Sequence, residues 1–504
     1  MILIIAEKPS VAGEIAKVVG ATTRGKGYLS GNDYIVSWCV GHLIELAKPS
    51  AYGEGLEKWS LDTLPIIPEN YITEVSSATA DQYAVLKELM SRADVSELVE
   101  ATDAGREGEL IFRLVYNQAG CKKPFKRLWI SSMEEKSIKE GLAGMKPGSA
   151  YDNLYEAALC RQRADWLVGI NLTRLYSKMY NKTLTCGRVQ TPTINLIVNR
   201  QRSIENFVPQ TYFTLTANCG SFKAYSRADD QAKAQQIEEK CSGKEAYVSK
   251  AEKEEKREKP AALYDLTTLQ RDANRLLGYS AQQTLDYLQK LYDNKLATYP
   301  RTDSRYITAD QEQSTRSLID TILATGIIST EVASNYSTEN VTMAQIINDK
   351  KVSDHHAVLP TSGVTKEKLD NLPTGERNIL LLVSYRLLSA VYAPHTYTAT
   401  KVVLDIEGEP FTATGREEID LGFKQIDDQV KKAVKAQEEK EDAPDTPENA
   451  VLPPMSEGNT FTASEVKAEP KKTKPQPSYT EDTLLKAMET AGKSIVDEEL
   501  KDAM

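Results

Sequence analysis

Apolar residues at the start of the chain form an unbroken run, Ile2 to Ala6, and then give way to a helical rhythm. The run reads as a strand buried on both faces. After it Pro9 suits a first helical turn, Val11, Ile15 and Val18 recur on one helical face, and Gly20 stands where a helix stops. The unit returns further on: Leu98 to Thr102 reads as a second buried strand, and the helix after it carries Leu110, Ile111 and Leu114. Strands alternating with helices over residues 1–150 predict a mostly parallel sheet flanked by helices. Residues 151–205 read as helical, with a break around Thr185 to Pro192. From residue 206 the period becomes that of strands, in Tyr212 to Asn218 and again in Ala399 to Ile406, with an all-helical stretch of roughly 130 residues between. This predicts one β-rich domain interrupted by another domain. Inside the insertion, Asp265 to Leu277 and Ser280 to Leu291 predict consecutive helices, each opened by a capping residue, the first closed by Gly278.

Composition narrows the class. A chain of 504 residues, 40% hydrophobic and 27% charged, can bury several cores, and about three domains fit its length. Glu7 and Lys8 break the opening apolar run, so it is neither signal peptide nor anchor, and no segment approaches the roughly 18 apolar residues of a spanning helix. No membrane partner is expected. Six cysteines lie far apart without a C-x-x-C pair, which speaks against a zinc ribbon or a disulfide framework and for a reducing, cytoplasmic setting. The net charge of −10 speaks only weakly against a polyanionic partner, because it does not say where the basic residues cluster. Two charge runs look non-catalytic: Lys250 to Lys259 reads as a solvated connector ending at Pro260, and the acidic Lys431 to Asn449 as a flexible loop.

Candidate chemistry begins where the two buried strands end. Glu7 follows the first and Asp103 the second, and ligands of parallel sheets collect at the carboxyl ends of strands. Glu107 lies four residues on, one helical turn from Asp103. Three hard oxygen donors without Cys or His suit Mg²⁺; the alternative is that they only complement helix N-termini. Gly20 to Gly27, GATTRGKG, approaches a P-loop, but Gly27 occupies the place of the required Ser or Thr and the segment follows a helix, so no nucleoside triphosphate partner is expected. In Leu296 to Ser304, LATYPRTDS, an extended backbone sends Tyr299 and Arg301 to the same side of Pro300. A phenol is a weak nucleophile at neutral pH, and a neighbouring guanidinium both favours phenolate and grips phosphate. With 24 tyrosines in the chain, an ordinary core residue is the competing reading.

Five segments in order carry a resemblance: IIAEKPS at the start, EATDAGREGELIFR, GRVQTPT (Gly187 to Thr193), LATYPRTDSRYI and DHHAVLPT (Asp354 to Thr361). They resemble the type IA DNA topoisomerases, in particular the bacterial topoisomerase III group, and the likeness runs through almost the whole chain. It implies a multidomain α/β and α+β protein with a Rossmann-like Toprim domain and an arch of a helical and a β-rich domain. The divisions it implies are 1–150 for Toprim, 151–205 and 479–504 for two parts of a single-strand-binding domain, 206–262 and 396–478 for the β-rich domain, and 263–395 for the helical domain. It implies ATP-independent cleavage of one DNA strand through a 5′-phosphotyrosine, strand passage and resealing, by a monomer acting on DNA with single-stranded character, cytoplasmic and nucleoid-associated.

The resemblance assigns roles. Tyr299 is the nucleophile and Arg301 its phosphate clamp; Lys8 protonates the departing 3′ oxygen with Glu7 beside it; His355 contacts the phosphate, whereas His356 and His395 read as structural. Glu7, Asp103 and Glu107 would hold Mg²⁺. Arg161, Arg163, Asp165, Trp166, Arg174 and the loop Gly187, Arg188, Val189, Gln190, Thr191, Pro192 would track DNA, with Trp59 a further candidate whose competing identity is a buried packing residue. Gly105 stands where the family's acidic pattern has a second Asp, so one Mg²⁺ position is expected. The chain stops at Lys501 to Met504, short of a Gly-Thr-x-x-Thr-Arg segment of relatives, which leaves open a truncated DNA-binding remnant; a different Toprim enzyme, a primase or nuclease, would not need Tyr299 and Arg301. Tyr479 to Met504 predicts two helical segments whose Leu484, Leu485 and Met488 pack on the helices of 151–205.

Overall fold

The structure, a computed structural model, describes residues 1–130, 133, 135–352, 355–435 and 452–491. Asp354, most of the acidic run 431–449 and the second helical segment near the C-terminus lie outside the described residues.

The first sheet has seven strands in the order Thr23–Gly25, Tyr28–Gly31, Tyr34–Trp38, Ile2–Ala6, Glu97–Ala101, Phe125–Arg127 and Lys146–Pro147. Its middle four strands are parallel and its edges antiparallel. Ile2–Ala6 lies at the centre, and its alternation serves two cores: Leu3 and Ile5 join Leu110 and Leu114 on one face, Ile4 and Ala6 join Val11 and Ile15 on the other. That two-sided burial is why the strand is a continuous apolar run. The helix Pro9–Val19 closes at Gly20 with φ 76°, and Thr23–Gly25 and Tyr28–Gly31 then form a hairpin. The glycine-rich segment therefore opens no helix, as a phosphate-binding loop must.

The second sheet is antiparallel, in the order Thr460–Ala463, Lys244–Glu258, His395–Ile406, Glu409–Asp420, Lys223–Ala228, Thr211–Asn218 and Glu465–Lys472. Strands from both sides of the helical insertion thus share one sheet. Here the structure corrects the reading of Lys250 to Lys259 as a connector: Lys250 to Glu258 continue a 15-residue strand, paired from Lys250 opposite Val403 to Glu258 opposite His395. Intermixed Lys, Arg and Glu leave both faces largely in water, while the ladder to a Thr- and Val-rich partner strand satisfies the backbone.

The insertion has its own core, built from Leu269, Leu288, Leu291, Ile319, Leu380, Val383 and Leu387 among others. Its first two helices, Leu266–Leu277 and Ala281–Asp293, begin with capping boxes on Asp265 and Ser280, and Gly278 ends the first at φ 67°. The helices Asp152–Met179 and Gln190–Glu205 flank the break at residues 180–189. The C-terminal helix Glu481–Glu489 packs chiefly on Leu266–Leu277 and, to a lesser extent, on Gln190–Glu205, so the contact its apolar stripe suggested with the helices of 151–205 is made but is the smaller one. Charge decides this: Arg271 pairs with Asp482 at 2.8 Å, and Glu481 accepts from the Ala281 amide at 2.6 Å. No helix among the described residues is long and apolar enough to cross a membrane.

Candidate active site

Glu7 and Lys8 lie between the strand Ile2–Ala6 and its helix; Thr102 and Asp103 occupy the same place after the neighbouring strand Glu97–Ala101. Parallel pairing brings the two ends together, so that the Glu7 carboxylate accepts from the Asp103 amide at 3.2 Å and the Lys8 ammonium stands 3.8 Å from the Asp103 carboxylate. Burial, followed by the charge of Asp103, pushes the Glu7 carboxyl up to about 7. One Asp103 carboxylate oxygen is buried without a hydrogen-bond partner. Gly108 is required by this packing: a Cβ there would lie 1.9 Å from the Asp103 carbonyl oxygen.

Glu107 does not join them. It faces His42 at 3.5 Å and Arg161 at 3.9 Å, and the His42 hydrogen bond holds its carboxyl below the usual range. Among the described residues no three His, Cys, Asp or Glu side chains are grouped to hold a metal; Glu7 and Asp103 lie together, and Glu107 faces His42 and Arg161 instead. One turn of helix brought the Glu107 backbone near, but its side chain leaves toward the groove beside the helix Asp152–Met179. Gly105 lies at the N-terminal cap of the helix Arg106–Gln118 in extended backbone.

A buried charge network, not evident in the sequence, supports the Asp103 loop. Arg127 is fully buried; its guanidinium donates to the Thr102 and Asp103 carbonyls, each at 2.7 Å, and pairs with Glu109 at 3.0 Å. Arg113 also pairs with Glu109, at 3.2 Å. Glu109 lies in the same acidic motif as Asp103 and Glu107, and only the fold shows that it points into the core. An arginine followed by the apolar Leu128, Trp129 and Ile130 was the only signal available in the sequence.

Tyr299 arrives from the helical insertion. Its segment is not a regular strand: Ala297 bridges Pro360, and the Thr298 amide donates to the Leu359 carbonyl at 2.9 Å. The ring is buried within the same cluster as Ala6 and Val11, edge-on to Tyr292 at 5.6 Å and stacked on His355 at 4.1 Å. Burial raises its phenol well above the ordinary range, the charges of Asp103 and Glu7 add to this, and Arg301 opposes them by charge and hydrogen bond. Arg301 also donates to Gln289 at 3.3 Å. Burial, with neighbouring His356, pushes His355 down to about 3, so its ring is neutral; it lies by the Ala104 backbone, and neither nitrogen has a well-formed hydrogen bond. His356 is buried and bonded to the Ala357 carbonyl, and His395 is buried between Glu258 and Glu418 in the second sheet, away from Tyr299.

Beside this centre a groove of about 400 Å³ runs between the first domain and the helix Asp152–Met179, lined by His42, Glu107, Arg161, Gln162, Asp165 and Trp166. Arg188 pairs with Asp165 at 2.7 Å, bringing the Gly187 to Pro192 loop to its rim, where Val189 is exposed and the Gly187 amide donates to Thr191. Trp166 is less free than expected: it packs edge-on against Tyr52 and Tyr71 and donates to the Ala47 carbonyl at 3.1 Å. Arg163 lies over Tyr71, and the largely buried Arg174 faces Trp59. Trp59 is 41% exposed, which overturns its packing identity. Tyr52 and Tyr71 were not singled out beforehand; an aromatic at each end of the segment 49–72 was their only mark.

A parallel sheet with carboxylates at its strand ends, facing a tyrosine on a helical arch, defines a Toprim-containing enzyme that works on phosphodiesters. Comparison agrees: residues 2–133 match the Toprim domain and residues 149–493 the DNA topoisomerase family model. The chain is 38% identical over 497 residues to DNA topoisomerase 3 of Bacillus subtilis (strain 168) and 38% over 502 residues to that of Bacillus anthracis, in each case covering 97% of this chain and 67% of the relative. Full-length topoisomerase I from Thermotoga maritima shares the fold, with a TM-score of 0.70 and 24% identity over 97% of this chain and 75% of that one. The chain belongs to the type IA DNA topoisomerase family, and its activity is that of an isomerase of DNA topology.

Proposed function

We propose that Tyr299 is the nucleophile, and that this chain cuts single-stranded segments of DNA at the junction of the first domain and the helical insertion. The observation that carries this reading is the delivery of a buried tyrosine from one domain to the carboxylate pair of another, with Arg301 at its hydroxyl. The phenol gives up its proton to water, its oxygen attacks phosphorus, and the 3′ oxygen leaves, taking a proton from Lys8, which Asp103 keeps in place. Arg301 grips the phosphate and lowers the cost of phenolate; the neutral His355 presents one N–H to the same group. Resealing reverses these steps, and because the phosphotyrosine conserves the bond, no nucleoside triphosphate is consumed.

Toprim domains bind Mg²⁺, and the residues present fit it. Two crowded carboxylates, one raised to about 7 and the other with a buried oxygen that accepts no hydrogen bond, suit a cation that takes one or two carboxylates and leaves its other positions to water and phosphate. Glu7 and Asp103 would hold the ion, which when bound supplies positive charge beside the phosphate. Arg161, Arg163, Arg174, Trp59 and the Gly187 to Pro192 loop would guide the strand by charge and stacking; Asp165 positions Arg188 and Trp166 anchors the groove wall. The protein is read as a monomer in the nucleoid-bearing cytoplasm, and the division into domains as 1–150, 151–205 with 479–504, 206–262 with 396–478, and 263–395.

Incubation with Mg²⁺ and a labelled single-stranded oligonucleotide tests the assignment. A covalent adduct forms with the unaltered chain, and Tyr299→Phe abolishes it while single-strand binding persists. An adduct in the Phe variant would place the nucleophile elsewhere.

A further inference from the structure

The nucleophile and the carboxylates sit on different domains, so the seam between them must close for cleavage and part for a strand to pass. Most of the seam is apolar: Tyr292 and Tyr299 lie in one cluster with Ala6, Val11 and Ala12. At its rim the Lys295 ammonium reaches across to Glu14, on the helix Pro9–Val19, at 2.5 Å. Glu14 is held on its other oxygen by Lys17 at 2.7 Å. Burial raises the Glu14 carboxyl, but the hydrogen bonds from Lys17 and Lys295 outweigh it and hold the group below the ordinary range.

The backbone at Lys295 gives independent reason to single out this residue. The helix Ala281–Asp293 ends in a Schellman turn: the Leu296 amide donates to the Leu291 carbonyl at 2.8 Å and the Lys295 amide to the Tyr292 carbonyl at 2.9 Å. Lys295 is the left-handed residue of that turn, with φ 60°, a place where glycine is favoured because a Cβ is penalised. Its carbonyl is fastened by the Thr361 hydroxyl. A strained backbone with a long cationic side chain, four residues before Tyr299, makes sense where the side chain itself is needed.

We propose that the Glu14–Lys295 ion pair is the latch of the strand gate, a pair of positioning residues that hold the Tyr299 segment against the first domain and set how readily it parts. This rests on the reading of Tyr299 as nucleophile. The pair is partly exposed, 24% and 34% for the two side chains, so its effect is that of a rim ion pair, a shift of about two- to five-fold in the open population.

The full chain, labelled with one dye on the first domain and one on the helical insertion, reads opening by single-molecule energy transfer in Mg²⁺ with an oligonucleotide bound. Glu14→Gln and Lys295→Gly each raise the open fraction about two- to five-fold, while the yield of covalent adduct on a saturating short oligonucleotide is retained. Lys295→Gly relieves the left-handed strain, so its thermal stability does not fall, which separates a lost latch from a damaged fold. The exchange Glu14→Lys with Lys295→Glu restores the closed fraction. Unchanged opening in both single variants, or failure of the exchange to restore closure, overturns the latch; absence of any adduct in the unaltered chain overturns instead the reading of Tyr299.

Discussion

Glu7 is the residue where burial, charge and pH meet most directly. Its carboxyl is raised from an ordinary 4.5 to about 7, first by burial and then by Asp103. The folded state therefore holds a proton that the unfolded chain has released between those two values, and stability falls as pH climbs from about 4.5 through about 7. Glu7→Gln has no such charge to desolvate. Without divalent cations it should melt level with the unaltered protein at pH 4 and be more stable at pH 8, by at most about 3 kcal/mol. Parallel melting curves across that range would show that Glu7 ionises freely. At the same scale the sequence was legible for Glu7, Asp103, Tyr299 and Arg301, which the structure brings to one place. For Glu107 spacing places only the backbone, and the side chain still chooses among neighbours; here it turns to His42 and Arg161 in the groove.

Among elements, the strand ends that bear Glu7 and Asp103 are held in register by a charge that never reaches solvent. Arg127 connects the strand Phe125–Arg127 to the Asp103 loop, to Glu109 on the helix Arg106–Gln118 and, at 3.7 Å, to the buried Glu100 of the neighbouring strand. Removing Arg127 leaves Glu100 without its nearest counter-charge and Glu109 with Arg113 alone, and breaking a buried ion pair in this way costs about 3–5 kcal/mol. Arg127→Met should lower the denaturant midpoint accordingly, with adduct formation weakened in the fraction that folds. A midpoint within experimental error of the unaltered protein would mean that Glu100 and Glu109 take up protons at no cost. The central strands and capped helices were readable in advance because local signals agree with the tertiary ones: an apolar run for a two-sided strand, Asp265 and Ser280 as caps, Gly278 as stop. The strand Lys244–Glu258 was not, since its stability comes from pairing with a distant partner and leaves no apolar alternation to read.

Across the whole molecule, stability is uneven. Four buried clusters serve the first domain, the helical insertion and the second sheet. The helix Gln190–Glu205 has no buried residue among those described, and Ile194, Ile197 and Val198 are exposed on it, whereas eleven residues of Thr374–Ala390 are buried. Low local burial means low opening free energy, so amides of Gln190–Glu205 should exchange at least about ten-fold faster than those of Thr374–Ala390. Single-stranded oligonucleotide should slow the former selectively. Equal exchange in both helices, or protection by DNA elsewhere only, would remove this helix from the DNA path.

The chain by itself determined the architecture of its first domain, the caps and stops of the tyrosine-bearing helices, and the residue types of the chemistry, because each depends on neighbours within a few positions. It also held the interrupted β-domain, visible as a return of strand periodicity after a helical stretch. Only the tertiary structure decided which carboxylates lie together, that Glu109 turns inward to Arg127, that Glu481–Glu489 makes its larger contact beside Arg271, and that Lys295 reaches Glu14. Those are contacts between residues tens to hundreds of positions apart, where direction and desolvation, not spacing, select the partner.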